Sequence, residues 1–303
     1  MNGTERTRLG DRFAAAALLL AAVAAAAGVV VADLYRDNEA WVRQARATDL
    51  VTLLAAVPIL AVSLWRVRAG SAAARVLVSG SLGYLVYSYA IFAFAVAINP
   101  MTPLHIAILS LSTWALVLSV SGLDRGSLDS IGAHLPRRTT GISLTIISLL
   151  FGSLWLGQIA GAITTGRPPV EVARLGLPTN PVYVLDLAFA LPLLALAGIS
   201  HLRRARGSGA MAVAMLVWTA VMGLSILAIF GFDAAAGQPV EPVVVAVIGA
   251  ITGTAAVLAL TGLLPRGAEH LFTSAARGGR NGGRLDRDLA DQAPVRSVGG
   301  QRP

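Results

Sequence analysis

Eight stretches of this chain are each apolar enough and long enough to cross a lipid bilayer as a helix. A bilayer core of roughly 30 Å requires about 20 mainly apolar residues in a helix. The stretches are continuously apolar rather than alternating, and backbone groups in lipid must be hydrogen-bonded within the protein, so helices are predicted rather than a barrel. The predicted fold is an all-α integral membrane protein with eight transmembrane helices, approximately over residues 13–33, 49–65, 76–98, 103–121, 141–163, 181–200, 211–231 and 243–264.

Composition agrees with a membrane location and excludes several kinds of site. Hydrophobic residues make up 55% of the chain and charged residues 13%, which is outside the usual balance of soluble domains. The chain has no cysteine, which rules out disulfides, iron–sulfur clusters and thiolate metal sites. The net charge is +8, but the arginines gather in short loops beside apolar stretches. The predicted partner is therefore the lipid bilayer and not a nucleic acid.

The distribution of arginine predicts the orientation. The N-terminus, alternate loops and the tail hold 19 of the 24 arginines, and the other four loops hold 5. Excess arginine marks the cytoplasmic side, so we predict a plasma membrane protein with both termini in the cytoplasm. Anionic lipids or phosphates are a further predicted partner of the cytoplasmic arginines, although topology alone explains these residues; they are Arg66, Arg68, Arg75, Arg203, Arg204 and Arg206.

The first stretch has a second interpretation. Arg6, Arg8 and Arg12 precede a run rich in alanine and leucine, which also resembles a secretory signal peptide cleaved near Ala32. The apolar run is longer than a typical signal peptide. We therefore predict that it is retained as the first transmembrane helix.

The chain also repeats itself. Asp49-Leu50, Arg66 and Gly70-Ser71 recur 137 residues later as Asp186-Leu187, Arg203 and Gly207-Ser208. Two P-x-x-P sequences, Pro100–Pro103 and Pro239–Pro242, also occupy matching positions. Two tandem four-helix repeats in the same orientation are predicted. The predicted divisions are a cytoplasmic N-terminus (1–12), a first repeat (13–121), a cytoplasmic linker (122–140), a second repeat (141–264) and a disordered cytoplasmic tail (265–303).

Two loop features carry structural expectations. Each P-x-x-P is predicted to form a tight hairpin at the outer surface, because proline ends one helix and starts the next. Residues 34–48 mix aromatic and charged side chains, which favours a short helix at the outer interface, or a lid over an outward-facing cavity.

Asp49 and Asp186 are the main candidates for function, because a carboxylate within a membrane span is costly and usually functional. The sequence Asn180-Pro181 predicts a helix start that places Asp186 inside its helix. Asp49 could cap the second span, or it too lies inside its helix if residues 40–48 are already helical. Asp186→Asn is therefore expected to impair function more than Asp49→Asn. Both residues could instead be anions near the positive ends of helices.

Three further residues are candidates for binding a substrate or an ion. His105 begins the fourth span, Glu241 lies in the matching outer loop of the second half, and Gln158 carries an amide inside the fifth span. Their spacing does not predict a metal site, and no pair of histidines is placed to ligate haem from two helices. No cofactor, metal or catalytic residue is predicted.

Several functions agree with this pattern. A transporter or permease for a small solute or ion is weakly favoured, because duplicated helical bundles often carry substrate between their halves. A membrane assembly or sensing module is the alternative. An intramembrane enzyme acting on lipids would require convergent acids or a metal at one face, and the proximity of Asp49, Asp186 and His105 would favour it. Intramembrane proteolysis has little support, because the motifs HExxH and GxSxG are absent.

Overall fold

The computed structural model describes residues 3–121 and 128–263, which are helical and contain eight helices that are long and apolar enough to span a membrane. A ninth helix, α6, is short. The predicted number of spans is confirmed. In chain order the helices are α1 (Gly3–Val30), α2 (Glu39–Arg68), α3 (Ala72–Ala95), α4 (Thr102–Ser121), α5 (Arg137–Thr165), α6 (Val170–Leu175), α7 (Pro181–Leu202), α8 (Ser208–Ala235) and α9 (Pro242–Leu263).

The prediction of a separate interfacial helix over residues 34–48 is wrong. Helix α2 begins at Glu39 and continues to Arg68, where the predicted span began only at residue 49. The Asn38 side chain starts this helix by accepting a hydrogen bond from the Trp41 amide at 3.0 Å. Charged residues are tolerated in this first part of α2 because they bind other parts of the protein: the Nε of Arg43, for example, lies 2.8 Å from Asp233.

The prolines form the predicted hairpins. Pro103 is the second residue of α4 and Pro242 is the first residue of α9, the positions where a missing amide hydrogen costs least. Helix α3 packs against α4, and α8 packs against α9. Each P-x-x-P therefore joins two neighbouring helices, as expected.

Helices α2 and α7 each contain one π-helical turn, over Thr52–Ala56 and Asp186–Ala190. The amide of the residue just before Pro58 donates a hydrogen bond to the carbonyl of Thr52, five residues earlier. In the same way, the amide of the residue just before Pro192 donates to the carbonyl of Asp186. Proline cannot donate a backbone hydrogen bond and disrupts a regular α-helix. The wider turn accommodates the proline without ending the helix, and such turns are frequent at functional sites.

Helix α3 is the central helix of the bundle. In its most apolar stretch 72% of the residues are buried, compared with 6% in α5. It packs against α2, α4 and α8. At the crossing with α8, a Cβ atom on Gly80 would lie 2.7 Å from the Ala214 carbonyl oxygen, so the two backbones approach closely because residue 80 is glycine.

The two halves of the chain pack differently at their edges. Helix α1 packs mainly against α4, whereas α5, its predicted counterpart, packs mainly against α7. The tandem repeat therefore stays a prediction, as does the orientation. The predicted disordered tail, 265–303, and part of the predicted linker, 122–127, lie outside the described residues.

The α3–α8 contact can be tested with two neighbouring glycines. We expect Gly80→Ala to destabilise the protein by about 1–3 kcal/mol, because the added methyl group overpacks a close backbone contact. Gly83→Ala is the control, since its methyl group would meet only the Trp218 Cδ1 at 3.5 Å and alanine favours a helix. Thermal unfolding of the purified protein in detergent measures both. A Gly83→Ala protein as destabilised as Gly80→Ala would contradict this packing.

Candidate functional site

A cavity of about 190 Å³ lies inside the bundle. Six of the eight membrane-spanning helices line it: α2, α3, α5, α7, α8 and α9. Most of its wall is apolar, and the polar or amphipathic side chains are few; they are Trp41, Gln44, Thr48, Tyr87, Ser88, Trp155, Asp186, Trp218, Thr219 and Ser225. Apolar walls with a few converging polar groups are typical of small-molecule sites.

Asp186 places a carboxyl group in this cavity and is 8% exposed. Its Oδ1 accepts a hydrogen bond from the Tyr87 hydroxyl at 2.8 Å, and its Oδ2 accepts one from the Trp155 indole nitrogen at 2.7 Å. The donors come from α3 and α5 and hold the carboxyl group from two sides. An indole N–H only donates, so Trp155 fixes Oδ2 as an acceptor.

Local sequence explains the position of Asp186. The Asn180 side chain accepts a hydrogen bond from the Val182 amide at 2.9 Å, and Pro181 is the first residue of α7. The predicted helix start is therefore confirmed, and Asp186 is the sixth residue of the helix. It is also the first residue of the π-helical turn.

Aromatic contacts hold the two donors in place. The Trp155 ring lies 4.9 Å from the Tyr183 ring, and the Tyr87 ring meets the Trp218 ring edge-on at 5.5 Å. Such ring pairs add stability beyond the burial of their surface. The donors to Asp186 are thus preorganised before any ligand binds.

Asp49 lies in a different environment from Asp186. It is 1% exposed, is the eleventh residue of α2 and does not line the cavity. The Tyr35 hydroxyl donates a short hydrogen bond to its Oδ2. A Cβ atom on Gly28 would overlap the Asp49 carboxyl group and lie 2.7 Å from the Tyr35 hydroxyl oxygen, so glycine at position 28 makes room for this pair.

Two expectations about the carboxylates are corrected. Asp49 does not cap a helix, because α2 starts ten residues before it, at Glu39. It also lies farther along its helix than Asp186 does, so greater depth is no longer a reason to rank Asp186 first. The reason that the structure offers instead is that Asp186 lines the cavity.

A tyrosine connects the cavity wall to the π-helical turn of α2. The Tyr84 hydroxyl lies 3.0 Å from Ser225 Oγ and 3.0 Å from Thr52 Oγ1. Ser225 lines the cavity, and Thr52 follows Asp49 by three residues. This chain of hydroxyl groups ends at Thr52, whereas the Asp49 carboxyl group faces α1 and bonds to Tyr35.

His105 is fully buried, where the sequence suggested a position near the outer surface. Its ring lies 4.9 Å from the Phe92 ring and 5.7 Å from the Tyr89 ring. Both ring nitrogens are buried without a hydrogen-bond partner, an arrangement that costs stability. Across residues 3–121 and 128–263, no three His, Asp or Glu side chains converge as metal ligands.

Gln158 and Glu241 do not line the cavity. Gln158 is half-buried on α5 and accepts a hydrogen bond from the Tyr183 hydroxyl at 3.4 Å. Glu241 is exposed immediately before α9. Their assignment as binding residues remains a prediction that the cavity does not support.

An ion network that sequence analysis missed joins three helices. Asp233 on α8 is 5% exposed and pairs with Arg43 of α2 at 2.8 Å and Arg174 of α6 at 3.7 Å. Glu171 pairs with Arg174 at 3.1 Å and accepts a hydrogen bond from Gln44 at 3.1 Å. Because Gln44 also lines the cavity, this network is next to the cavity.

Two titratable groups outside the membrane-spanning helices are perturbed. Burial, together with the nearby Asp49 carboxyl group, raises the pKa of the Tyr35 phenol above its usual range. Burial also raises the pKa of Asp37, whose carboxyl group accepts a hydrogen bond from the Ala97 amide at 3.0 Å. Tyr35 is therefore a hydrogen-bond donor at neutral pH, as its contact with Asp49 requires.

No protein-family model, curated protein or solved structure matches this chain.

The Tyr35–Asp49 pair gives a prediction for stability. We expect Tyr35→Phe to destabilise the protein by about 1–3 kcal/mol, because it leaves a buried acceptor without its donor. Tyr89→Phe is the matched control: Tyr89 is fully buried, but its hydroxyl makes only a 3.4 Å hydrogen bond to the Ala21 carbonyl. Thermal unfolding in detergent compares the two variants. Equal losses of stability in the two variants would show that the hydrogen bond to Asp49 contributes no more than the long bond of Tyr89.

Proposed function

We propose that this multi-pass membrane protein is a transporter or permease for a small solute. The single observation that carries the proposal is the cavity of about 190 Å³, which is lined by residues of six spanning helices, Asp186 among them. A polar anchor within an otherwise apolar cavity gives a solute a binding position inside the membrane region. Transporters bind their substrates in such positions, between helical units.

The proposal assigns different positions to the two carboxylates. Asp186 contacts the solute, and Tyr87 and Trp155 hold the Asp186 carboxyl group in position. Asp49, paired with Tyr35, supports α2 beside the cavity. The π-helical turns after Asp49 and at Asp186 interrupt the regular hydrogen bonding of two cavity-lining helices, and discontinuous helices are common at transporter binding sites.

The finer predictions on architecture belong to this proposal. We propose two tandem repeats in the same orientation, with α3 and α8 as equivalent central helices, and a plasma membrane location with cytoplasmic termini. The recurrence of aspartate, arginine and Gly-Ser at a spacing of 137 residues supports the repeat, and the arginine distribution supports the orientation.

A membrane sensing or assembly module is the alternative function. It would bind a ligand in the same cavity without moving it across the membrane. The enzyme interpretation has less support, because it requires convergent groups, and only Asp186 of the three proposed residues lines the cavity.

Cysteine accessibility separates transport from sensing without knowledge of the solute. Because the chain has no cysteine, Ser88→Cys places the only thiol in the cavity wall. We expect a membrane-impermeant thiol reagent to label it from both sides, in right-side-out and in inside-out vesicles, since a transporter opens its cavity alternately.

Two control variants complete this experiment. Glu241→Cys lies at an exposed loop and should react only in right-side-out vesicles, which tests the orientation. Trp114→Cys replaces a side chain that is 57% exposed on an apolar helix and should stay unlabelled, as a position facing lipid. Labelling of Ser88→Cys from one side alone would reject transport in favour of sensing.

Anionic lipid is the proposed partner at a second, basic cleft of about 450 Å³. Arg137, Arg204 and Arg206 line it beside the first residues of α8. Asp129 also lines the cleft and accepts a hydrogen bond from the Gly207 amide at 2.8 Å. Arginine side chains and a helix N-terminus both attract phosphate groups.

Native mass spectrometry can test this cleft. We expect the purified protein to retain phosphatidylglycerol in preference to phosphatidylcholine, and the double change Arg204→Gln with Arg206→Gln to reduce the preference several-fold. The control, Arg66→Gln with Arg68→Gln, removes the same charge from the last turn of α2, just before α3. An equal reduction in both double variants would indicate general attraction to arginine and not a cleft.

A further inference from the structure

The carboxyl group of Asp186 has no basic partner in the described part of the chain. No arginine or histidine of these residues forms an ion pair with it, and its two hydrogen-bond donors, Tyr87 and Trp155, are neutral. The cavity wall contains no arginine or histidine, and the chain contains no lysine. A carboxylate held away from water without a countercharge is costly.

The arginines of the adjoining ion network do not supply this charge. Arg43 lies on α2 next to the cavity-lining Gln44, but it pairs with Asp233 at 2.8 Å. Arg174 pairs with both Asp233 and Glu171. Arg43 also pairs with Glu39 at 3.9 Å, so these two arginines are matched by three carboxylates of their own and supply no countercharge to Asp186.

The hydrogen bonds around Asp186 suit an ionised group that still has room for a ligand. Each of its oxygens accepts one protein hydrogen bond, whereas a carboxylate has about four acceptor positions. Both protein contacts are donors, so they favour the charged form and fix its orientation. The remaining acceptor positions are available to N–H groups of a bound molecule.

Aromatic rings surround the same space. Six of the cavity-lining side chains are aromatic: Trp41, Tyr87, Phe92, Phe151, Trp155 and Trp218. The faces of such rings attract cations, tryptophan most strongly, and they also cover apolar groups. An aromatic wall beside one carboxylate is therefore complementary to a positive charge attached to an apolar body.

We infer that the cavity binds a small organic cation, an amine or ammonium compound whose charged nitrogen pairs with Asp186 and whose apolar part packs against the aromatic wall. This inference rests on the proposed function for its site, since it names the class of solute. The cavity of about 190 Å³ has space for on the order of a dozen water-sized groups. The solute is accordingly compact.

Three probes that share a phenylethyl group and differ in charge test the inference: phenethylammonium, 2-phenylethanol and 3-phenylpropionate. Their binding is measured by calorimetry on the full-length protein in nanodiscs, with the heat of partition into empty nanodiscs subtracted. We expect the cation to bind roughly tenfold or more tightly than the alcohol, because a charge-assisted hydrogen bond is about twice as strong as a neutral one. The anion should bind weakest.

Variants locate the effect at Asp186. Asp186→Asn should remove the preference for the cation while leaving binding of the alcohol nearly unchanged, since the shape of the cavity is kept. Asp49→Asn makes the same change at a buried carboxyl group outside the cavity wall and should keep the preference. If Asp186→Asn does not fold, Tyr87→Phe provides the second variant and should reduce the preference by removing one orienting donor.

Three results would overturn the inference: equal binding of alcohol and cation, a preference for the anion, or no binding of any probe by the folded wild-type protein. Its failure is distinguishable from failure of the transport proposal. Cation-selective binding with a cavity thiol reachable from one side only would keep the ligand class and reject transport. A cavity thiol that is reachable from both sides, without a preference for the cation, would keep transport and reject the ligand class.

Discussion

The requirement that every polar group in lipid find its partner within the protein determines most of this structure. It forces the apolar stretches into helices, and it also explains the parts that are not apolar. Helix α2 carries charged residues into the bundle because Arg43 reaches Asp233, and Asp49 is buried because Tyr35 donates to it. At both Asp49 and Asp186 the hydrogen-bond donors are neutral side chains, so the requirement is met by hydrogen bonds and not by an opposite charge.

The sequence predicted what depends on local chemistry. Apolar length gave the eight spans, proline gave the two hairpins, and Asn180-Pro181 placed Asp186 inside its helix. The start of α2 was misjudged because charged residues normally mark the end of a span, and their partners, such as Asp233, are distant in the chain. The burial of His105 was missed for the same reason: Tyr89 and Phe92, which enclose it, belong to another helix.

The two aspartates show how a matching sequence position can lead to different surroundings. Both aspartates belong to the set of residues that recurs at a spacing of 137, and both lie at or near a π-helical turn. Asp49 nevertheless faces α1, where Gly28 leaves space for it, whereas Asp186 faces the cavity between donors from α3 and α5. The packing of the flanking helices accounts for this difference, since α1 packs mainly against α4 and α5 mainly against α7.

The π-helical turns have a consequence for motion as well as for position. A regular helix resists bending because each carbonyl is bonded to the amide four residues later. At Pro58 and Pro192 that bond cannot form, and the wide turn replaces it with one spanning five residues. Both turns lie in helices that line the cavity, and one begins at Asp186 itself. A ligand that pairs with Asp186 therefore acts where α7 is least constrained by its own hydrogen bonds, and this position allows binding to alter the path of the helix.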